Sequence, residues 1–341
     1  MCKRVRIAGT GSFIPKEIYT NEEMVSIVKQ KNSEWIYKNL GIKERRFAGR
    51  IESLIGTADK HEIGDLDMAY FAALEAIKDA DLKPDEIDGL WYVTCTQDLE
   101  EYCHFSRAAI ELHSRLELSS HAFAFEIDSG CGGTMQAIGI SNDMIKGDDK
   151  INILVVASNK PSGQFNNLDS YIKTGAWLSA YVFGDGAGAM ILQRSLNGKT
   201  GIIATYYGAD GSHPLMYYHK KSGADTPVYE IDAKAVKELF PALMKRSLNG
   251  LMKKYSFELD EVKRFYFHQA NYWVLKSFAN FLEVPFERVA VNVDKYGNLS
   301  AASTLVLLNE DRRNGIVKEN DLVLFCAVGA GAHYGAFLVR L

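Results

Sequence analysis

Three segments place a polar residue where a strand ends or a glycine turn opens a helix, and two of those residues, a thiol and an imidazole, could carry nucleophilic or proton-transfer chemistry. Cys131 lies in SGCGG (129–133), between an apolar run and a helix-like pattern. A thiol at a helix N-terminus meets free backbone N–H groups and the positive end of the helix dipole. Both favour the thiolate, so its pKa is expected to fall from about 8.5 towards neutrality. A lone Cys in a strand usually acts as a small buried hydrophobe. Glycines on both sides serve no such purpose but let a carbonyl approach the backbone, so Cys131 reads as a nucleophile. His268, in FHQAN (267–271), follows an aromatic strand, at a strand end where α/β folds place functional groups. Its imidazole could serve there as donor or proton shuttle, with Asn271 expected to orient it. Asn298, in YGNLSAAS (296–303), follows a glycine turn; alone it signals no more than a capped helix.

Two other patterns carry no chemistry on this reading. GDGAGA (184–189) has a dinucleotide-binding spelling, but the residues after it read as strand and not as helix, so the phosphate cradle is missing. The eight histidines include no HExxH and no close Cys/His cluster, so no metal is expected. No cofactor is required.

The elements that must position these residues alternate. Helical periodicity appears at 66–80 and 233–255. Short apolar runs at 5–9, 89–94, 122–127, 151–157, 181–183, 189–193, 265–268, 289–293, 322–326 and 336–339 read as strands, mostly continuous and therefore covered on both faces. The class is α/β. The chain also echoes itself in order: 85–93 in 260–268, 126–131 in 292–297, and 184–189 in 329–333, with the offset shrinking along the chain. A duplication with trimmed loops in the second copy explains this, dividing the chain into 1–195 and 196–341.

Composition sets the outer limits. The 341 residues are 47% hydrophobic and 24% charged, enough for a large core. Glycine and proline, 28 and 7, are too few for a fibrous or disordered chain. The net charge of −4 gives no electrostatic reason to bind nucleic acid. Five widely spaced cysteines, Cys2, Cys95, Cys103, Cys131 and Cys326, form no CxxC and no secreted framework, so a reducing cytoplasm is expected. The N-terminus lacks the apolar core of a signal peptide. The uncharged stretch 322–339 is broken by Gly329, Gly331 and Gly335, so it reads as two strands and a turn, and no membrane association is expected.

Taken together, SGCGG, FHQAN, YGNLSAAS, FGDGAGAMIL and VGAGAHYGAFLVRL resemble the condensing enzymes of the thiolase fold, most closely the β-ketoacyl-ACP synthase III group, from about residue 3 to 341. The resemblance implies an αβαβα five-layer sandwich of two duplicated βαβαβαββ halves, and generally a homodimer. Carried over, Cys131 is the acylated nucleophile and His268 and Asn298 hold the thioester carbonyl. The oxyanion hole is the backbone N–H of Cys131 and of Gly331, and Trp35 and Asn271 serve substrate binding. The implied reaction loads an acyl group from acyl-CoA or acyl-ACP. It then condenses that group with a malonyl-type thioester on acyl carrier protein, releasing CO2 and a 3-oxoacyl product.

Departures shift the expected substrate. Gly130, Gly132 and Thr134 replace bulkier neighbours of the Cys and point to a reshaped acyl pocket; Asn39 and Trp273 stand where arginines contacting coenzyme A and carrier protein are common. A specialised fatty acid or polyketide pathway, or loading from carrier protein, fits better than priming from acetyl-CoA. The face carrying Lys234, Lys237, Lys245, Arg246, Lys253 and Lys254 suits an acidic carrier protein and equally a solvated helix. Three rivals remain open: a thiolase using Cys326, an acyltransferase passing the acyl group to an alcohol or amine, and a noncatalytic subunit of a heterodimeric synthase. Cys326 is one residue out of place for the first, so it is expected on the other strand face, in the core.

Overall fold

The computed structural model describes residues 4–49, 63–96, 107–147, 151–165, 168–195, 198–212, 215–219, 221–223, 225 and 227–341. Cys2 and Cys103 fall outside them. Two sheets dominate. The first contains β1 (Val5–Phe13), β4 (Gly89–Val93), β5 (Phe123–Ile127), β6 (Ile153–Asn159) and β7 (Gly186–Arg194), in the order β1-β7-β6-β4-β5. The second contains β8 (Gly201–Ala209), β11 (Arg264–Phe267), β12 (Leu322–Gly329) and β13 (His333–Arg340), in the order β11-β12-β13-β8. Read from β8, the second sheet repeats the first: two antiparallel pairings, then a parallel one. A parallel bridge between Phe265 and Val289 stands where β5 stands in the first sheet.

Both β6 and β12 are buried along their whole length, as apolar runs covered on both faces require. Helices Gly133–Gly147 and Ser303–Arg313 lie between the sheets. Ile138 and Ile145 of the first and Leu305 and Leu308 of the second share one core with Val155 and Leu192 on one side and Phe325 and Val339 on the other. Helix Asp65–Asp79 covers the outer face of the first sheet through Ala69, Ala72, Ala73 and Ala76. Helices Ala233–Lys254 and Tyr272–Phe281 cover that of the second through Leu243, Met244, Leu275 and Phe278. The layers run helix, sheet, helix, sheet, helix.

The echoes have structural counterparts, with one correction. The 3-10 turns Pro84–Glu86 and Leu259–Glu261 precede β4 and β11. Each is tied by a glutamate three residues on: Glu86 Oε2 accepts from Lys83 N–H at 2.8 Å, and Glu261 Oε2 from Glu258 N–H at 3.1 Å. The turn carrying Cys131, Gly130–Gly132, is matched by Ser300–Ala302 and not by 292–297; Gly130 and Ser300 share a φ of 51°, and each turn opens a central helix. The stretch 184–189 runs into β7, so no phosphate cradle forms, and 322–339 is the hairpin β12–β13.

Two expected strands differ. Residues 181–183 belong instead to helix Leu178–Val182 and its end, and 289–293 reduces to the Val289 bridge before the short helix Val293–Tyr296. Short apolar runs have too few residues for periodicity to separate the two states. Also unexpected were β8 and two antiparallel strand pairs, β2 (Glu17–Thr20) with β3 (Glu44–Phe47) and β9 (Met216–His219) with β10 (Val228–Ile231). Among the described residues no helix is long and apolar enough to cross a membrane.

Candidate active site

Cys131 stands where β5 has ended and helix Gly133–Gly147 is about to begin, on a turn 9% exposed at the thiol residue. That turn is pressed against the β12–β13 connection. A Cβ on Gly329 would lie 2.3 Å from the Gly132 nitrogen and 2.6 Å from that of Cys131, so only glycine permits this approach. Ala330 packs on Gly130, and Gly331 follows at φ 120°, on the exposed side of the same connection. The Cys131 turn and the Gly331 turn therefore lie side by side.

The thiol itself corrects an expectation. Burial pushes Cys131 up to about 11, against the opposing pull of the Ser300 hydroxyl and its own backbone N–H. Removal of the thiolate from water outweighs the helix N-terminus, so the resting side chain is a thiol.

His268 continues β11, its N–H donating to Cys326 O at 3.0 Å, and is 3% exposed. Burial lowers its pKa to about 4, partly offset by the Ser300 backbone, so the imidazole is neutral at pH 7. Its Nδ1 is buried and has no hydrogen-bond partner among the described residues. Asn298 is 5% exposed and pinned through its backbone: its N–H donates to Val182 O at 2.9 Å and its carbonyl accepts from Gly184 N–H at 3.2 Å. The tight turn at Gly297, φ 72°, sets the chain on this path. Its Oδ1 accepts from Ser300 N–H at 2.8 Å, which leaves Nδ2 as the donor for another group.

Ser300 joins all three. Its Oγ lies 3.3 Å from Cys131 Sγ, its N–H holds Asn298, and its backbone neighbours His268. In the sequence it was only a helix-opening serine. The signal for it was its place two residues after Asn298, where a side chain turned back by a positive φ meets the opposite half. A second thiol was also missed: Cys95, just past β4, lies with its Sγ 3.9 Å from the same Ser300 Oγ.

The remaining predicted positions scatter. Asn271 does not orient His268: its Oδ1 accepts from Val274 N–H at 2.9 Å and caps helix Tyr272–Phe281. Trp35, on helix Ser33–Leu40, packs edge-to-face on Trp177 with ring centres 5.9 Å apart, and Lys31 Nζ lies 5.1 Å and 5.4 Å from the two rings. Asn39 Nδ2 donates to Trp35 O at 2.8 Å within the same helix, and Trp273 donates to Tyr37 O at 3.3 Å, which ties that helix to helix Tyr272–Phe281. Cys326 is fully buried and its thiol meets Met244 Sδ of the outer helix at 3.4 Å, away from Cys131. No group of three or more His, Cys, Asp or Glu side chains converges as a metal site among the described residues.

The layered pair of like-ordered sheets is the thiolase-like architecture of condensing enzymes. Residues 125–211 match the family model for 3-oxoacyl-[acyl-carrier-protein] synthase III, and residues 252–341 the model for its C-terminal part. Curated relatives include β-ketoacyl-[acyl-carrier-protein] synthase III of Ehrlichia ruminantium (strain Gardel), 31% identical over 99% of this chain and 100% of the relative. The Aquifex aeolicus (strain VF5) enzyme of the same name is 32% identical over 98% and 99%. The crystal structure of 3-oxoacyl-[acyl-carrier-protein] synthase III from Aquifex aeolicus VF5 superposes with a TM-score of 0.82 at 31% identity, covering 99% of this chain and 100% of that one. The chain belongs to the β-ketoacyl-ACP synthase III family and is an acyltransferase of the condensing type.

Proposed function

We propose that this enzyme loads an acyl group onto Cys131 from an acyl-CoA or acyl-ACP thioester and condenses it with a malonyl-type thioester on acyl carrier protein. The observation that carries the reading is Ser300, which joins the thiol of the first half to the imidazole and carboxamide of the second. In the loading step the Cys131 sulfur attacks the thioester carbonyl. The C–S bond to the donor breaks, and the thiol proton leaves with the departing thiol. Because burial holds Cys131 as a thiol, that proton must be removed as the substrate binds, and neutral His268 with a free ring nitrogen is a base suited to it. The N–H groups of Cys131 and Gly331 are the assigned oxyanion donors, each typically worth about 3–4 kcal/mol.

In the second step the malonyl thioester loses CO2. Its enolate oxygen takes hydrogen bonds from His268 and from Asn298 Nδ2, and its carbon attacks the acyl-enzyme carbonyl. The new C–C bond forms as the C–S bond to Cys131 breaks, and the freed sulfur regains a proton. No atom of this sequence calls for a metal or redox cofactor. We assign Trp35, with Trp177 and Lys31, to the carrier arm of the donor, and the exposed cations Lys245, Arg246 and Lys253 beside Tyr206 to the acidic carrier protein. We divide the chain into halves 1–195 and 196–341, so that β7 closes the first and β8 belongs to the second. The chain is read as a homodimer joined through the free edge of β5, where Phe125 is 53% exposed, stacks on Trp91 and lies tilted against Phe123. A cytoplasmic setting and a specialised pathway complete the reading.

Intact-protein mass spectrometry after incubation with a panel of acyl-CoA and acyl-ACP donors tests it. One acyl adduct, mapped to Cys131 and released as a 3-oxoacyl thioester with one CO2 when malonyl-ACP is added, is the expected result. Absence of an adduct with every donor would leave a noncatalytic subunit, and release without CO2 an acyl transfer to another acceptor.

A further inference from the structure

The small cavity next to Cys131 contains a polar group that the condensation steps leave unused. Asn159 ends β6 and is fully buried. Its Oδ1 accepts from the Cys95 thiol at 3.2 Å, while its Nδ2 is buried with no hydrogen-bond partner among the described residues. Asn159, Cys95, Phe183, Met216, Tyr229 and Ser300 line the cavity together, and its room of about 10 Å³ takes one oxygen-sized group at the end of a chain and not the chain itself. Ser300 Oγ lies 3.9 Å from Cys95 Sγ and 3.3 Å from Cys131 Sγ, so the cavity abuts the proposed nucleophile. The neighbouring phenol is committed, since Tyr229 donates to the Cys95 carbonyl, and the Cys95 thiol stays protonated because burial raises its pKa.

Left without an acceptor, a buried amide N–H2 costs free energy. A plain alkyl chain reaching this cavity would leave it so. A chain with an oxygen acceptor would complete it, and a site built to bond an oxygen discriminates against the analogue lacking one. We propose that the acyl group loaded by this enzyme is short and carries a hydroxyl or carbonyl oxygen that accepts from Asn159 Nδ2, with Asn159 a specificity-determining residue. This rests on the reading of Cys131 as the acylated nucleophile.

The test compares loading of butyryl-CoA, 3-hydroxybutyryl-CoA and 4-hydroxybutyryl-CoA by intact-protein mass spectrometry, in the native chain, Asn159→Leu and Asn159→Ala. The alanine variant removes the amide without adding bulk, should the leucine variant fold poorly. At least one oxygenated donor should load tenfold or more faster than butyryl-CoA in the native chain, and that preference should vanish in the folded variants. Equal rates for all three donors in the native chain, or a preference that survives loss of the amide, overturns the proposal. If no donor acylates Cys131, the nucleophile reading fails separately. Calorimetric binding of the butyryl and hydroxybutyryl N-acetylcysteamine thioesters to Cys131→Ala protein then decides the cavity's preference by the same tenfold criterion.

Discussion

Each side chain at the candidate site carries a measurable consequence of burial. Cys131 is pushed up to about 11, so its thiolate fraction grows about tenfold per pH unit across the neutral range. The rate of iodoacetamide alkylation should therefore climb without a plateau from pH 7 to pH 10; a plateau near pH 8 would place the thiol in an electropositive pocket instead. His268 is lowered to about 4 from 6.5, so the folded state resists the proton that the unfolded chain accepts. The stability this group contributes is complete above pH 6.5 and is lost as pH falls towards 4, by on the order of 3 kcal/mol. His268→Gln should flatten that acid limb in urea titrations run at successive pH values. On the proposed reaction, Asn298→Ala removes a donor to the enolate that the loading step does not use. Acyl adducts should still form at a rate within a fewfold of native, while CO2 release from malonyl-ACP drops about a hundredfold or more. Equal loss of both half-reactions would refute that division of labour.

At the scale of elements, the strand ends aim and the tight turns hold. Gly329 lets the β12–β13 connection sit on the nitrogens of Gly132 and Cys131, and a Cβ there meets backbone that cannot swing aside. Gly329→Ala should cost about 2 kcal/mol or more of stability and slow loading of Cys131, read by thermal unfolding and adduct formation on the same preparation. Asn271 spends its Oδ1 on a helix cap. Asn271→Ala should lose about 1 kcal/mol from the cap while leaving CO2 release near native, and Asn271→Ser should restore the stability. If the alanine variant instead loses activity with its stability intact, the orienting role expected from the sequence is reinstated.

For the whole molecule, two sheets of like order sandwich two central helices, and Ser300 beside Cys131 brings residues far apart in the chain to one candidate site. On the dimer reading, the free edge of β5 completes its hydrogen bonding with a second copy. Phe125→Glu, which sets a charge into that exposed aromatic cluster, should shift the chain from dimer to monomer in size-exclusion chromatography with light scattering. An unchanged mass would move the interface elsewhere.

Much of this was legible in the residues. The continuous apolar runs of β6 and β12, the periodic helices Asp65–Asp79 and Ala233–Lys254, and the glycine turn between β12 and β13 follow from local pattern, because burial on one face or two leaves its period in the sequence. The motifs SGCGG, FHQAN and YGNLSAAS, taken together, likewise pointed to the family of condensing enzymes. What local pattern cannot carry is position relative to a distant segment. The thiol's upward shift arises from the depth at which the halves close over it, Ser300 becomes a hub by facing Cys131 across that closure, and Asn271 turned out to cap a helix. Cys95 and Asn159 meet only because β4 and β6 are neighbours in the sheet, and nothing in either segment names the other. Residue type and spacing determined most strands of the two large sheets and the turns that open the central helices. Tertiary structure alone decided which polar atoms are paired, which are left open, and how much water each one gives up, since dehydration and partnership depend on what arrives from far along the chain.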